Sequence, residues 1–320
     1  MSLTKVKILE NVSLAPLTTY AIGGSARYFA RPKTSGELLE ALDWAEKNKQ
    51  LVYILGGGSN LLISDKGYDG LIIKLNNQQI NEKEAGTKTV LLEAGGGLGL
   101  GALLQFCNTA PKFVTGLEWS AGIPGCVGGA VFGNAGAFGQ SMQDKVQSVY
   151  VYDLVERNFK TYKNTDCAFG YRQSLFKQGQ KIIWSVSLKL ELGDAVTGRQ
   201  MILDHLKERK QKQPLEYPSA GSVFKNVPIQ QLDKNLPDRT EILQLFKETI
   251  PAGWLIEKSG LKGYRIGNAQ VSPKHCNFLI NLGGAKAQDI FALIQLIQKT
   301  VSEKFNLKLV PEINFLGKFD

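Results

Sequence analysis

The stretch that most constrains this chain is residues 116–139, GLEWSAGIPGCVGGAVFGNAGAFG. No charged residue occurs from Trp119 to Gln143, and Gly122, Gly125, Gly128, Gly129, Gly133, Gly136 and Gly139 punctuate it. Glycine costs backbone entropy, so this density implies positive φ or close backbone approach. A phosphate chain or a flat heterocycle needs such a backbone, because its amide N–H groups can point at the ligand. A purely structural, glycine-rich turn region is the competing reading. A transmembrane helix is the third, and GGAVFG even suggests a dimerisation face. Pro124, Asn134, Gln140 and the missing basic flanks make a poor span, however.

With 320 residues and 43% hydrophobic content, the chain is long for one domain and can bury substantial cores. Its net charge of +9 favours an anionic partner, either nucleic acid or phosphate-bearing small molecules. The only dense basic cluster is KERKQK at residues 207–212, and no nucleic-acid-binding signature accompanies it. The first residues, MSLTKVKILENV, have no apolar core of a secretory signal, so a cytoplasmic location is expected. Cys107, Cys126, Cys167 and Cys276 are widely spaced, as for reduced thiols. Two histidines, His205 and His275, exclude a multi-histidine metal centre and make a serine–histidine triad a poor fit.

Along the chain, residues 1–20 read as an irregular lead-in. Thr34 and Glu37 form a capping box ahead of a helix whose apolar face is Leu38, Leu39, Leu42 and Ala45. Residues 52–55 read as a buried strand running into Gly56-Gly57-Gly58-Ser59-Asn60, either a second anion nest or a tight hairpin turn. Further strands are expected at 71–75, 90–94, 146–152 and 182–190. GGGLGLG at 95–101 fits neither G-x-G-x-x-G nor a P-loop, which argues against both of those nucleotide folds. A composition change near 193–198, followed by a helix of about a dozen residues, marks the best domain boundary. Beyond it come short helices near 241–249 and 254–259, strands near Ala269 and Phe278, and a long amphipathic helix. There Ile290, Leu293, Ile294, Ile297, Val301 and Phe305 recur at helical spacing. The last stretch alternates, with Leu307, Leu309, Ile313 and Phe315 on one face.

Three short stretches could carry chemistry, and each has an ordinary structural alternative. In FGYRQSLFK, Arg172 is flanked by aromatics; it is either a preorganised anion donor or a surface arginine over rings. In PSAGSVFKN, Ser222 follows a glycine; it is either a hydroxyl presented to a ligand or a turn serine. Glu312 follows Pro311 on the polar face of the last strand, where a solvated carboxylate is the default.

Taken together and in order, these words resemble the UDP-N-acetylenolpyruvoylglucosamine reductase family of flavoenzymes. The matching stretches are TTYAIGGSARYF from Thr18, LGGGSNLLISD from Leu55, IPGCVGGAVFGNAGAFG from Ile123 and YRQSLFK from Tyr171. RKQKQP from Arg209, GSVFKN from Gly221, AGWLIEKSGLKG from Ala252 and LVPEINFLG from Leu309 continue the match. The resemblance implies an α+β protein. Its FAD-binding region of the vanillyl-alcohol-oxidase (PCMH) type has two lobes, 1–75 and 76–194, and a C-terminal α+β substrate domain, 195–320, carries Glu312 on its last strand.

By the same resemblance, FAD is held non-covalently by Gly56, Gly57, Gly58, Ser59, Asn60, Gly122, Ile123, Pro124, Gly125, Gly128, Gly129, Asn134, Gly136 and Ala137. Arg172, Ser222 and Glu312 form the catalytic trio, and Tyr171, Lys212 and Asn226 help to hold the UDP-sugar. NADPH reduces the flavin and UDP-N-acetylglucosamine enolpyruvate is then reduced, in a monomer that needs no metal, nucleic acid or membrane. Two features depart from one branch of the family. No room exists between Tyr171 and Lys212 for an extra tyrosine-bearing loop, yet residues 227–250 are long as in that branch. Readings from other classes are a non-catalytic nucleotide-sugar or nucleic-acid binder using residues 207–212, and a flavin oxidase anchored through Cys126.

Overall fold

The computed structural model describes residues 6–109, 113–236 and 239–320. The chain forms two compact units, each assembled from three segments. The first comprises Met1–Asn11, Tyr28–Gly57 and Gly70–Arg209; the second comprises Val12–Arg27, Gly58–Asp69 and Lys210–Asp320.

The first unit holds two apolar cores. One lies under a four-stranded sheet in the order Ile8–Ser13, Ser25–Ala30, Tyr68–Lys74, Val52–Leu55. Helix Ser35–Lys47 covers it with Leu38 and Ala41, both fully buried. The start of that helix obeys its sequence: the Thr34 side chain accepts from the Glu37 N–H at 3.2 Å, while Glu37 accepts from the Lys33 N–H at 2.7 Å. The strand at 8–13 is a departure from the irregular lead-in expected there. Its burial alternates weakly, and pairing with a neighbouring strand rather than its own pattern makes it extended.

The second core of this unit is walled by an antiparallel sheet in the order Asn158–Lys163, Val146–Asp153, Lys181–Leu192, Thr89–Gly95, Ile80–Ala85, with Val114–Thr115 beside the end of the central strand. Val149, Val151, Val186, Leu188 and Leu190 are fully buried on it. Gly95, Gly96 and Gly97, which end one of these strands, are accounted for by packing. A Cβ on them would come within 2.1 Å of Asn77 O, 2.4 Å of Ile183 O and 2.4 Å of Leu75 O respectively. Helix Leu100–Thr109 follows directly.

The helix expected after the composition change at 193–198 runs from Ala195 to Lys212 and so takes in Gly198. A Cβ at Gly198 would sit 2.2 Å from the Phe113 ring, so glycine is there to admit the ring and not to break the helix.

The second unit is built around helix Ala287–Phe305. Ile290, Leu293, Ile294, Ile297, Val301 and Phe305 are all at most 1% exposed, the stripe read from the sequence. Burying each such side chain stabilises by roughly 1.5–3 kcal/mol before the entropic cost of ordering it. The helix packs with the antiparallel strands Arg265–Ile266, Ala269–Val271 and Leu279–Asn281 and with helix Ala252–Lys258. Asp65 caps it, accepting from the N–H groups of Ala287 and Gln288 at 2.9 and 3.1 Å. Strand Leu61–Ile63 pairs in parallel with Asn314–Leu316. Residues 56–60 therefore do not close a hairpin, because the strand before them, Val52–Leu55, pairs instead with residues 71–74. No helix among the described residues is long and apolar enough to cross a membrane.

Candidate active site

The glycine-rich run folds into three pieces. Residues 118–120 form one helical turn, Val127–Gly133 form a short helix, and Gly136–Ala137 pairs with Gln140–Ser141 in a hairpin. Cys126 caps the short helix through its Sγ, which accepts from the Gly129 N–H at 3.4 Å. Asn134 ends the helix in the left-handed region at φ 43°.

The first glycine loop reaches this run by backbone alone. A Cβ on Gly57 would lie 2.4 Å from Gly125 Cα, and one on Gly56 would lie 3.3 Å from Cys126 Sγ. Lys74 donates from Nζ to Gly56 O at 2.7 Å, and burial holds its ammonium below the usual lysine range. Among the described residues, the N–H groups of Gly57, Gly58 and Ser59 have no protein acceptor. Those of Val127 and Gly128 are already engaged, with Leu98 O at 2.8 Å and Gly96 O at 2.9 Å. A Cβ at Gly133 would meet no atom within 4 Å. Unengaged backbone amides in a glycine-rich loop suit a phosphate chain such as the pyrophosphate of FAD.

Arg172 is stitched to the same run. Residues 170–173 form a tight turn, Gly170 and Gln173 exchanging backbone hydrogen bonds at 3.1 Å, with Arg172 at φ 54°. A left-handed non-glycine residue costs of order 1–3 kcal/mol and persists where its surroundings fix it. Three contacts do so here. Arg172 Nη2 donates to Gly136 O at 2.9 Å, Asn134 Nδ2 to Gly170 O at 2.9 Å, and Ser174 Oγ to Phe132 O at 2.6 Å. Asn134 also donates to Gln143 Oε1 and accepts from the Gln143 N–H, each at 3.0 Å. Its side chain is therefore engaged within the protein, as is its backbone N–H, which donates to Val131 O at 3.1 Å. Tyr171 is exposed, with the Arg172 guanidinium 5.3 Å from its ring centroid.

Ser222 and Glu312 belong to the second unit and are neighbours in it. Ser222 follows Gly221, which takes φ 75°, and forms an antiparallel bridge with Phe278. Asn277, buried, clamps the next residues: its carbonyl accepts from the Val223 N–H at 2.8 Å, its Oδ1 from the Phe224 N–H and its Nδ2 donates to Phe224 O, both at 2.9 Å. On the other side, Glu312 N–H donates to Val223 O at 2.7 Å and Lys225 N–H to Val310 O at 3.0 Å. Glu312 thus precedes the last strand, Asn314–Leu316, and does not lie on it as expected. Asn60 secures it, donating from Nδ2 to Glu312 O at 3.0 Å. Asn226 accepts from the Ala252 N–H at 3.2 Å and so helps start helix Ala252–Lys258. Lys212 ends helix Ala195–Lys212 and is exposed.

The clamps by Asn60 and Asn277 and the stitch by Asn134 leave no signal in the sequence, since each joins residues far apart in the chain. Among the described residues no group of His, Cys, Asp and Glu could hold a metal ion, and the four cysteines are unpaired. Within the second unit Ser222 and Glu312 stand on restrained backbone, and within the first Arg172 is held to the glycine-rich run.

Comparison with known proteins identifies the family. Residues 26–155 match the FAD binding domain family, and residues 213–316 match the UDP-N-acetylenolpyruvoylglucosamine reductase C-terminal domain family. The UDP-N-acetylenolpyruvoylglucosamine reductase of Synechococcus sp. (strain JA-3-3Ab) is 39% identical over 98% of this chain and 93% of its own length. That of Caldanaerobacter subterraneus subsp. tengcongensis is 38% identical over 98% and 94%. The crystal structure of UDP-N-acetylenolpyruvylglucosamine reductase from Thermus caldophilus superposes with a TM-score of 0.76 at 31% identity, covering 98% of this chain and 99% of that one. The expected fold class, a two-lobed FAD-binding region with an α+β C-terminal part, stands.

Proposed function

The chain belongs to the UDP-N-acetylenolpyruvoylglucosamine reductase family, and on that premise we propose that Arg172, Ser222 and Glu312 are the residues with which it reduces UDP-N-acetylglucosamine enolpyruvate to UDP-N-acetylmuramate. It is an FAD-dependent oxidoreductase of peptidoglycan precursor synthesis with NADPH as co-substrate. Bound FAD supplies the redox chemistry, carrying two electrons from NADPH to the enolpyruvyl double bond.

The protein's share is positioning, electrostatics and one proton. Arg172 receives the substrate carboxylate, and its guanidinium opposes the negative charge that builds there as the methylene carbon is reduced. Glu312 acts at the same enol-like charge. Ser222 Oγ donates the proton that the adjacent carbon takes up, which completes addition across the double bond. Residues 1–75 and 76–194 serve the cofactor in this proposal, through Gly56, Gly57, Gly58, Ser59 and the run from Gly122 to Ala137. Residues 195–320 serve the sugar, Lys212 and Asn226 from within them and Tyr171 from 76–194 helping to hold the UDP moiety. Action as a cytoplasmic monomer without nucleic acid is part of the same reading, in keeping with unpaired cysteines.

The observation that carries it is the seating of Glu312 one residue from Ser222 by the 2.7 Å bond to Val223 O. It joins the two residues that protonation of a reduced enol would need. The test is the purified protein's visible spectrum and its response to each substrate. It should be yellow, bleach with NADPH and recover colour on anaerobic addition of the enolpyruvyl sugar. A colourless protein that cannot be loaded with FAD, or one whose reduced flavin ignores the sugar, defeats it.

A further inference from the structure

Phe138 holds a conformation that a bulky side chain adopts only when it is fixed in place. It and Gly139 are the two loop residues of the hairpin Gly136–Ala137/Gln140–Ser141, with φ of 52° and 76°. Both values are those of a type I′ turn, whose first position favours asparagine, aspartate or glycine. An aromatic residue there is an outlier, and such strain is retained where neighbours impose it.

The neighbours come from helix Ala195–Lys212. The His205 ring stacks on Phe138 with centroids 3.9 Å apart and planes 12° from parallel. The Arg209 guanidinium lies 5.2 Å from the same Phe138 centroid, within cation–π range. Both partners are themselves fixed. His205 Nδ1 lies 3.0 Å from Glu118 O; a carbonyl can only accept, so Nδ1 carries the proton. Arg209 is 9% exposed and lies against Gly122, where a Cβ would come 3.0 Å from Arg209 Cδ.

The stacked tip has a consequence two residues away. Gly136, at the base of the hairpin, presents the carbonyl that accepts from Arg172 Nη2 at 2.9 Å. The position of Gly136 O therefore depends on the hairpin, and the hairpin depends on a strained residue pinned under His205. We propose that the His205–Phe138 stack is a latch that aims the Arg172 guanidinium through Gly136 O. His205 and Phe138 are then positioning residues that touch no substrate. The inference rests on the reading of Arg172 as the group that receives the substrate carboxylate.

Stopped-flow absorbance of the flavin band separates the two half-reactions and tests the latch. His205→Ala and Phe138→Ala should slow reoxidation by the enolpyruvyl sugar roughly ten- to a hundredfold, the scale on which a small misplacement of a positioned group acts. Bleaching by NADPH and bound flavin content should stay within about twofold. His205→Phe keeps a ring on Phe138 and should restore most of the sugar half-reaction. The decisive measurement is a double-mutant cycle with Arg172→Ala. If the latch acts through Arg172, adding His205→Ala or Phe138→Ala to Arg172→Ala costs nothing further. Additive losses, equal slowing of both half-reactions, or an unimpaired His205→Ala overturn the proposal. Should either latch residue prove necessary for folding, the cycle is read from the other. If Arg172→Ala itself leaves the sugar half-reaction intact, the reading of Arg172 fails instead, and the latch with it.

Discussion

The backbone N–H of Glu312 donates to the carbonyl of Val223 at 2.7 Å, although 89 residues separate them in the chain. That bond fixes the carboxylate's backbone beside the segment that bears Ser222. Asn277 on one flank and Asn60 on the other hold the two segments in place. In the proposed reaction neither Ser222 nor Glu312 acts until charge develops on the substrate, and this timing is open to measurement.

Ser222→Ala should leave flavin reduction by NADPH near its unmutated rate. Reoxidation by the enolpyruvyl sugar should fall by about 10²–10⁴-fold, the usual worth of one well-placed proton donor. Glu312→Gln should show the same split. Anaerobic stopped-flow absorbance reads both halves, and equal slowing in Ser222→Ala would assign that residue a structural part only.

Two glycines that look alike in the sequence should respond oppositely. Gly57→Ala puts a Cβ 2.4 Å from Gly125 Cα, a backbone atom that cannot step aside, and should destabilise by about 1–3 kcal/mol with loss of bound FAD. Gly133→Ala meets open space in a helix, where alanine is favoured over glycine by about 1 kcal/mol. The apoprotein should melt no lower. Weakened FAD binding in Gly133→Ala, with melting unchanged, would mean that the open space is filled by the cofactor. Calorimetry of the apoproteins and FAD titration decide both points.

Lys212→Ala removes an exposed ammonium from the last turn of helix Ala195–Lys212. The Michaelis constant for the UDP-sugar should rise while flavin content and NADPH bleaching hold steady. Loss of the favourable charge at the helix end costs at most about 1 kcal/mol of stability. Salt-sensitive nucleic-acid binding by the parent protein, abolished in the variant, would instead assign the basic cluster to another partner.

His275 is half-buried against Gly253 and stacks edge-on with Phe278. Burial holds its imidazole below the ordinary value of 6.5. The unfolded chain therefore takes up a proton before the folded one as pH falls through 6.5, and folding loses stability in that window. Above it both states are neutral and His275 contributes no pH dependence. His275→Gln should flatten the decline in melting temperature between about pH 7.5 and 5.5, the range in which histidine titrates. An unaltered decline would place its source in other groups.

Much was legible from the sequence because the physics involved is local. The stripe from Ile290 to Phe305, the Thr34 cap and the glycine-rich run each depend on residues a few positions apart, which propensity and periodicity report directly. The order of the motifs along the chain likewise identified the family. Only the tertiary structure decided what the glycines are for. Gly96 and Gly198 admit a carbonyl and a ring, Gly57 admits another glycine, and a Cβ at Gly133 meets only open space. It also decided that residues 56–60 pass from one sheet to another, and that Glu312 sits before its strand rather than on it. The asparagine clamps and the strained tip at Phe138 belong with these. Each depends on contacts between residues distant in sequence, and a hydrogen bond or a steric gap of that kind leaves no period in the chain that makes it.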